Sequence, residues 1–292
     1  MHPTPDEDQV LPGQVLPGQV LPGQVLPGQV LPGQVLPGQV LPGQVVRRLR
    51  AAGCVFAEDE ARLLAAEAAG PEALEALVER RIAGAPLEVL LGWAEFRGLR
   101  ILVAPGVFVP RRRTEALVEE AVRLTPPGAV VVDLCCGSGA VGAAIAAAVP
   151  GIELHAADVD PAAVACARRN LPGVPVHEGD LFTALPPELA GRIDVLTANV
   201  PYVPTDALAL MPPEARDHEP RVALDGGPDG LALARRVATG AVEWLAPGGS
   251  LLFECGEGQA PDALDLVTAT GMDARLVTDD ERGATVVVGT LS

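Results

Sequence analysis

The chain has 292 residues, 49% of them hydrophobic, and a formal net charge of −17. That length holds one full α/β domain plus a small accessory element, and no uninterrupted apolar run is long enough to span a bilayer. Met1 to Gln9 is polar and acidic, without the basic-then-apolar order of a secretory signal, so a cytoplasmic location and no membrane partner are expected.

All 21 basic residues are arginine, set against 38 acidic ones. A field of that sign repels phosphate backbones and counts against nucleic acid as a partner. Arg111-Arg112-Arg113 is the only basic triplet. The five cysteines form no Cys-x-x-Cys pair and the four histidines are dispersed, so neither a disulfide framework nor a metal site is expected.

The first feature in chain order is a repeat: Leu-Pro-Gly-Gln-Val occurs seven times without variation from Leu11 to Val45. Proline and glycine every five residues forbid a continuous helix or a central strand. The uncharged unit offers too little burial to offset the entropy of ordering it, so residues 1–45 are expected to be disordered. Removing the tract joins Val10 to Val46 in a plausible helix start, which reads as an in-frame expansion. The functional alternative is an elastin-like self-association segment.

From Val46 to Ala83 apolar residues recur at helical spacing, and Gly53 and Gly70-Pro71 break the stretch into short helices. Residues 46–85 are therefore expected as a small helical domain. Pro86 to Val109 reads as extended hairpin material turning at Gly98 and Pro105-Gly106, giving a linker over 86–113. A helix is expected from Thr114 to about Leu124.

Beyond Pro126-Pro127-Gly128 the texture alternates. Strands are expected at Ala129–Asp133, Ile152–Asp158, Val174–His177, Ile193–Asn199 and Ser250–Cys255, then Ala274–Thr278 and Thr285–Gly289 as a closing antiparallel pair. Helices are expected at Gly139–Ala148, Pro161–Asn170, Leu231–Leu245 and Ala260–Thr270, with a long irregular stretch before Gly230. The class is α/β, a mostly parallel Rossmann-like sheet covered by helices on both faces over residues 114–292.

Three acids punctuate that pattern. Asp133 ends the first strand, in Asp133-Leu-Cys135-Cys136-Gly137-Ser138-Gly139-Ala-Val-Gly142, where glycines let backbone approach a ligand closely. Asp158 closes the second strand at the distance expected of a ribose-binding acid. Asp180, with Leu181 and Phe182, follows the third. The spacing of the glycines alone fits a dinucleotide as well as S-adenosylmethionine. The three acids suit a ligand carrying an ammonium (Asp133), a ribose (Asp158) and an adenine (Asp180 and Leu181), and they suit a pyrophosphate poorly.

Asn199-Val200-Pro201-Tyr202 ends the fourth strand, and Tyr202 is the only tyrosine. Ligands of open α/β sheets bind outside the carboxyl ends of strands. An amide nitrogen attacks a sulfonium poorly because its lone pair is delocalised. Two acceptors on its two N–H bonds orient it and favour the nucleophilic form. The Asn199 side-chain oxygen and the Val200 carbonyl suit that grip, Tyr202 suits packing on the planar group, and Asn199 is also expected among the cofactor-binding residues.

That turn, with Pro86-Leu-Glu-Val-Leu-Leu-Gly92, Glu95-Phe-Arg-Gly-Leu99, Val109-Pro-Arg111, Thr114-Glu115 and His218-Glu-Pro-Arg-Val-Ala-Leu-Asp-Gly-Gly-Pro-Asp-Gly230, resembles the HemK/PrmC family of protein-(glutamine-N5) methyltransferases. The resemblance spans about Val46 to Ser292. It implies a helical N-terminal domain, a β-hairpin linker and a seven-stranded class I methyltransferase domain. It also implies S-adenosylmethionine as cofactor and a protein glutamine as acceptor, the usual one lying in a translation release factor. Its Asn-Pro-Pro-Tyr motif, here Asn199 to Tyr202, grips the amide. Val200 replaces a proline, the linker reads Pro-Arg-Arg-Arg-Thr-Glu, and the helical region is short for the family. The alternatives are methylation of an exocyclic base amine, a nicotinamide-dependent oxidoreductase resting on the glycines alone, and a cofactor-binding protein without turnover. The oligomeric state is not legible.

Overall fold

A computed structural model describes residues 43–292. The expectation of disorder for the repeat up to Pro42 lies outside the described residues. The last repeat unit contributes Gly43 to Val45 to the first helix, α1 (Gly43–Ala51), where Val45 and Leu49 are buried one turn apart. The boundary expected after Val45 therefore moves into the repeat.

Gly53 and Gly70, both at positive φ, end helical runs as expected. They separate α1 from α2 (Ala57–Glu67) and α2 from α3 (Pro71–Ile82). A fourth helix, α4 (Leu87–Leu91), occupies what was expected to be hairpin, because Leu90 completes the apolar core of this bundle. Gly92 stops it in a left-handed cap, its N–H donating to the Glu88 carbonyl. The hairpin is confined to β1 (Trp93–Phe96) and β2 (Leu99–Leu102), paired antiparallel across Arg97-Gly98.

After α5 (Glu115–Leu124) come β3 (Val130–Leu134), α6 (Ala140–Ala148), β4 (Glu153–Asp158), α7 (Pro161–Asn170), β5 (Val176–Glu178) and β6 (Ile193–Ala198). The irregular stretch holds short 3-10 turns and α8 (Pro213–His218). Then follow α9 (Ala232–Trp244), β7 (Leu245–Cys255), α10 (Ala260–Thr268), β8 (Asp273–Asp279) and β9 (Ala284–Thr290). The strand expected from Ser250 starts five residues earlier, with a register shift against Ile193–Val195.

The seven strands run in the order β5-β4-β3-β6-β7-β9-β8, with only β9 antiparallel to its neighbours. All five residues of β3 are buried, as a central strand covered on both faces requires. One apolar layer packs under α9 and α10 and the other under α5, α6 and α7. The strand order reverses between β3 and β6, each of which leaves the centre toward a different face. That switch opens the crevice at their carboxyl ends where a ligand is accommodated.

Candidate active site

The glycine turn after β3 takes its shape from left-handed residues: Cys135, Gly137 and Gly139 have φ of 56°, 55° and 78°. A side chain at Gly139 would strike Leu171, so this glycine lets α6 approach α7. Asn170 fixes the turn from α7, its Nδ2 donating to the Ser138 carbonyl and the Leu102 carbonyl, both at 2.8 Å. The hairpin and the glycine turn are thus held by one side chain.

Asp133 lies beneath the turn with 1% of its surface exposed. It accepts from the Gly142 N–H at 2.9 Å and from the Thr197 hydroxyl at 3.3 Å. Burial dominates these two bonds and pushes its carboxyl up to about 7. Asp158 accepts from the Gly137 N–H at 2.8 Å and the Asp160 N–H at 2.9 Å, and burial raises its pKa as well.

One cavity of about 1150 Å³, counting its open mouth, joins this turn to the end of β6. Asp133, Cys135, Cys136, Gly137, Ser138 and Asp158 line one half, and Asn199, Val200, Pro201 and Tyr202 line the other. Gly139 shapes the turn without lining the cavity.

Asp180 and Leu181 depart from expectation, since neither lines the cavity. The chain reverses at Leu181, whose φ is 51° and whose side chain enters the core. The Asp180 carboxylate turns instead to Arg236 of α9, 2.7 Å away. Phe182 stacks on Trp244 with ring centroids 5.6 Å apart. The half of the cavity beside the glycine turn is completed by Val159 and Asp160 from the β4–α7 connection and by Ala163 of α7.

Behind the Asn199–Tyr202 half lies Glu254, which the sequence pattern did not single out. Glu254 of β7, its side chain 2% exposed, accepts from the Tyr202 hydroxyl at 2.7 Å and from the Thr114 hydroxyl at 2.9 Å. Arg113 pairs with the same carboxylate at 3.0 Å and lies over the Tyr202 ring. The Asn199 Nδ2 reaches the Thr114 hydroxyl oxygen at 3.4 Å. Because that hydroxyl donates to Glu254, it must accept from Asn199, which assigns the amide nitrogen inward and leaves Oδ1 toward the cavity. Among the described residues nothing donates to Asn199 Oδ1 or to the Val200 carbonyl. The family motif at Thr114-Glu115 hinted at this arrangement, but Glu254 is separated from Thr114 by 140 positions and only the packing of α5 against β7 brings them together.

The turn itself is clamped from below. Gln259 donates to the Tyr202 carbonyl at 3.0 Å and to the Asp229 carbonyl at 2.9 Å. Gly226 and Gly230 lie so close to the backbone of Pro201 and Tyr202 that neither could carry a side chain.

Residues 98–208 match the family model described as Methyltransferase small domain. Over 226 residues the chain is 41% identical to a release factor glutamine methyltransferase of Geobacter sulfurreducens, covering 75% of this chain and 78% of that protein. The chain belongs to the release factor glutamine methyltransferase family. The expected HemK/PrmC membership is thereby established, and the seven-stranded fold with it. A 4-amino-L-phenylalanine/4-methylamino-L-phenylalanine methyltransferase of Streptomyces pristinaespiralis is 38% identical over 203 residues, 66% of this chain and 69% of that one. A methyltransferase of Pyrococcus furiosus shares the fold, with a TM-score of 0.50 at 16% identity over 67% of this chain and 90% of its own.

The cavity fits the family's cofactor. Its glycine half presents carboxylates and no arginine, which suits a ligand bearing a sulfonium and an ammonium and rejects a pyrophosphate. Two arginines do line the acceptor half, and both are already paired, Arg111 with Glu219 and Arg113 with Glu254.

Proposed function

We propose that this chain transfers a methyl group from S-adenosylmethionine to the side-chain amide nitrogen of a protein glutamine, in the cytoplasm, with a translation release factor as the acceptor protein. The observation that carries the reading is the orientation of Asn199. Thr114 takes its amide nitrogen, so its oxygen stands free beside the Val200 carbonyl in the cavity that also holds Asp133 and Asp158.

Asp133 and Asp158 suit the ammonium and ribose ends of the cofactor, beside backbone drawn close by Gly137. Bound there, S-adenosylmethionine supplies a methyl group on a sulfonium, which leaves as a neutral thioether. Asn199 and Val200 each accept one N–H of the acceptor amide. This holds the nitrogen in line and weakens its conjugation with the carbonyl. The Tyr202 ring packs against the planar group. Burial and the nearby Glu254 carboxylate hold its phenol well above the usual range, so it stays neutral and serves as no base. The amide proton becomes acidic as the nitrogen–carbon bond forms, and it leaves to water at the open mouth.

Two neighbouring readings meet the same geometry. Pairing of Arg111 and Arg113 removes two of the three charges in the only basic triplet, which disfavours a nucleic-acid base as acceptor. A free arylamine presents a planar amino group too, as the Streptomyces relative's name records. Tritiated S-adenosylmethionine, offered with a methylation-deficient bacterial lysate, separates them. The expected result is label in a protease-sensitive band that maps to a release factor glutamine. Nuclease-sensitive label, or label only in small molecules, would reject the proposal.

A further inference from the structure

Glu254 does not line the cavity, yet three groups around the acceptor end on its carboxylate. One oxygen takes the Tyr202 hydroxyl and forms an ion pair with the Arg113 Nε, and the other takes the Thr114 hydroxyl. A carboxylate can only accept, so both hydroxyls must donate. Thr114 has one proton. Having given it to Glu254, the hydroxyl can only accept from the Asn199 amide. The chain of donors therefore has one direction, and it ends with Asn199 Oδ1 facing the acceptor.

We infer that Glu254 is a positioning residue that sets the polarity of the acceptor grip, through Thr114 to Asn199 on one side and directly to Tyr202 on the other. The inference rests on the glutamine reading for its kinetic consequence, and its structural half stands on the network alone. A neutral donor–acceptor group at this position changes the direction of the chain. In Glu254→Gln the side-chain oxygen stays with Arg113 and Tyr202, since both need an acceptor. Its NH2 then faces Thr114, whose hydroxyl turns to donate to Asn199. Asn199 must flip, and its own NH2 opposes the N–H bonds it should accept.

The test uses the full chain. Tyr202 is the only tyrosine, so tyrosine labelled with carbon-13 at Cζ alone gives one NMR resonance that reports the bond to Glu254 without assignment. For Glu254→Gln we expect that resonance to move, cofactor affinity by calorimetry to stay within about twofold, and kcat to fall by about 100-fold. Thr114→Val removes the hydroxyl that links Glu254 to Asn199 and leaves the Tyr202–Glu254 bond: kcat falls while the tyrosine resonance stays in place. Thr114→Ser, which keeps the hydroxyl, recovers most of the turnover lost in Thr114→Val. The Thr114 pair decides the matter if Glu254→Gln fails to fold. Wild-type turnover in either Glu254→Gln or Thr114→Val overturns the inference. So does a loss of turnover matched by an equal loss of cofactor affinity, which would mean a collapsed site. A wild-type chain that methylates no glutamine sinks the functional reading instead, and the tyrosine resonance still tests the network.

Discussion

At the scale of single residues the site separates the groups that touch the reactants from those that aim them. In the proposed reaction Asn199 contributes an acceptor to the grip, and it lines the cavity at the end of β6. Asn199→Ala should retain much of its cofactor affinity and lose about 100-fold or more in kcat, measured by calorimetry alongside a radiometric assay. Full activity in that variant would remove the amide grip from the mechanism. Asp133 gives a pH signature. Its carboxyl titrates near 7 in the ligand-free protein, so the fraction carrying the charge that an ammonium needs falls below that pH. Cofactor binding should be roughly tenfold weaker at pH 6 than at pH 8, and Asp133→Asn should bind more weakly and lose this component. An equal slope in the variant would assign the pH dependence to the cofactor. In stability the sign is opposite. A raised carboxylate pKa lets the folded state hold a proton that the unfolded chain releases, so stability from this group declines as pH rises toward about 7.

The elements decide which residues meet. The Asn199–Tyr202 turn was legible because its position follows from a strand end, and so was the glycine turn at Gly137. Glu254 was not legible. It is one acid within an apolar strand, and its meaning depends on the pairing of β6 with β7 and on the packing of α5 across them. Asp180 shows the same limit of local pattern: an acid after a strand looks the same in sequence whether it faces a ligand or an arginine, and here it pairs with Arg236. The segment Asp225 to Gly230 falls in the stretch expected to be irregular and carries a family motif, and it is the support on which the Asn199 turn sits. A Cβ at Gly230 would fall 2.3 Å from the Tyr202 carbonyl oxygen, at a φ of 75° that already disfavours a side chain. Gly230→Ala should cost at least about 2 kcal/mol of stability and reduce turnover, read by thermal melting and kcat together. An unchanged melt would show that the support yields more easily than its packing suggests.

Across the whole molecule the helical bundle is tied to the wall of the cavity. Arg81 of α3 pairs with buried Glu60 and also with Glu214 of α8, the helix that leads into the cavity-lining Glu219 and Pro220. Glu67 binds both Trp93 and Arg100, fixing α2 to the hairpin. Glu214 is largely exposed, so removing it leaves no buried charge alone. Glu214→Ala should leave the melting temperature nearly unchanged. It should raise KM for a protein acceptor by up to about fivefold, the equivalent of about 1 kcal/mol, with no effect on a short glutamine peptide. An equal effect on both acceptors would place the defect in the catalytic cavity and not in how the bundle is held.

Periodicity and punctuation by glycine and proline were enough to determine the α/β class, the strand and helix order, and the two turns that carry chemistry, because each of these is a local preference of neighbouring residues. The family motifs added the cofactor and the acceptor class. The tertiary structure alone decided that α4 interrupts the linker, that Val45 belongs to the bundle core, that Asp180 turns to Arg236, and that Asn199 points its oxygen outward. Each of these outcomes is settled by a partner far along the chain, and hydrogen-bond direction and burial are properties of pairs that no single position carries.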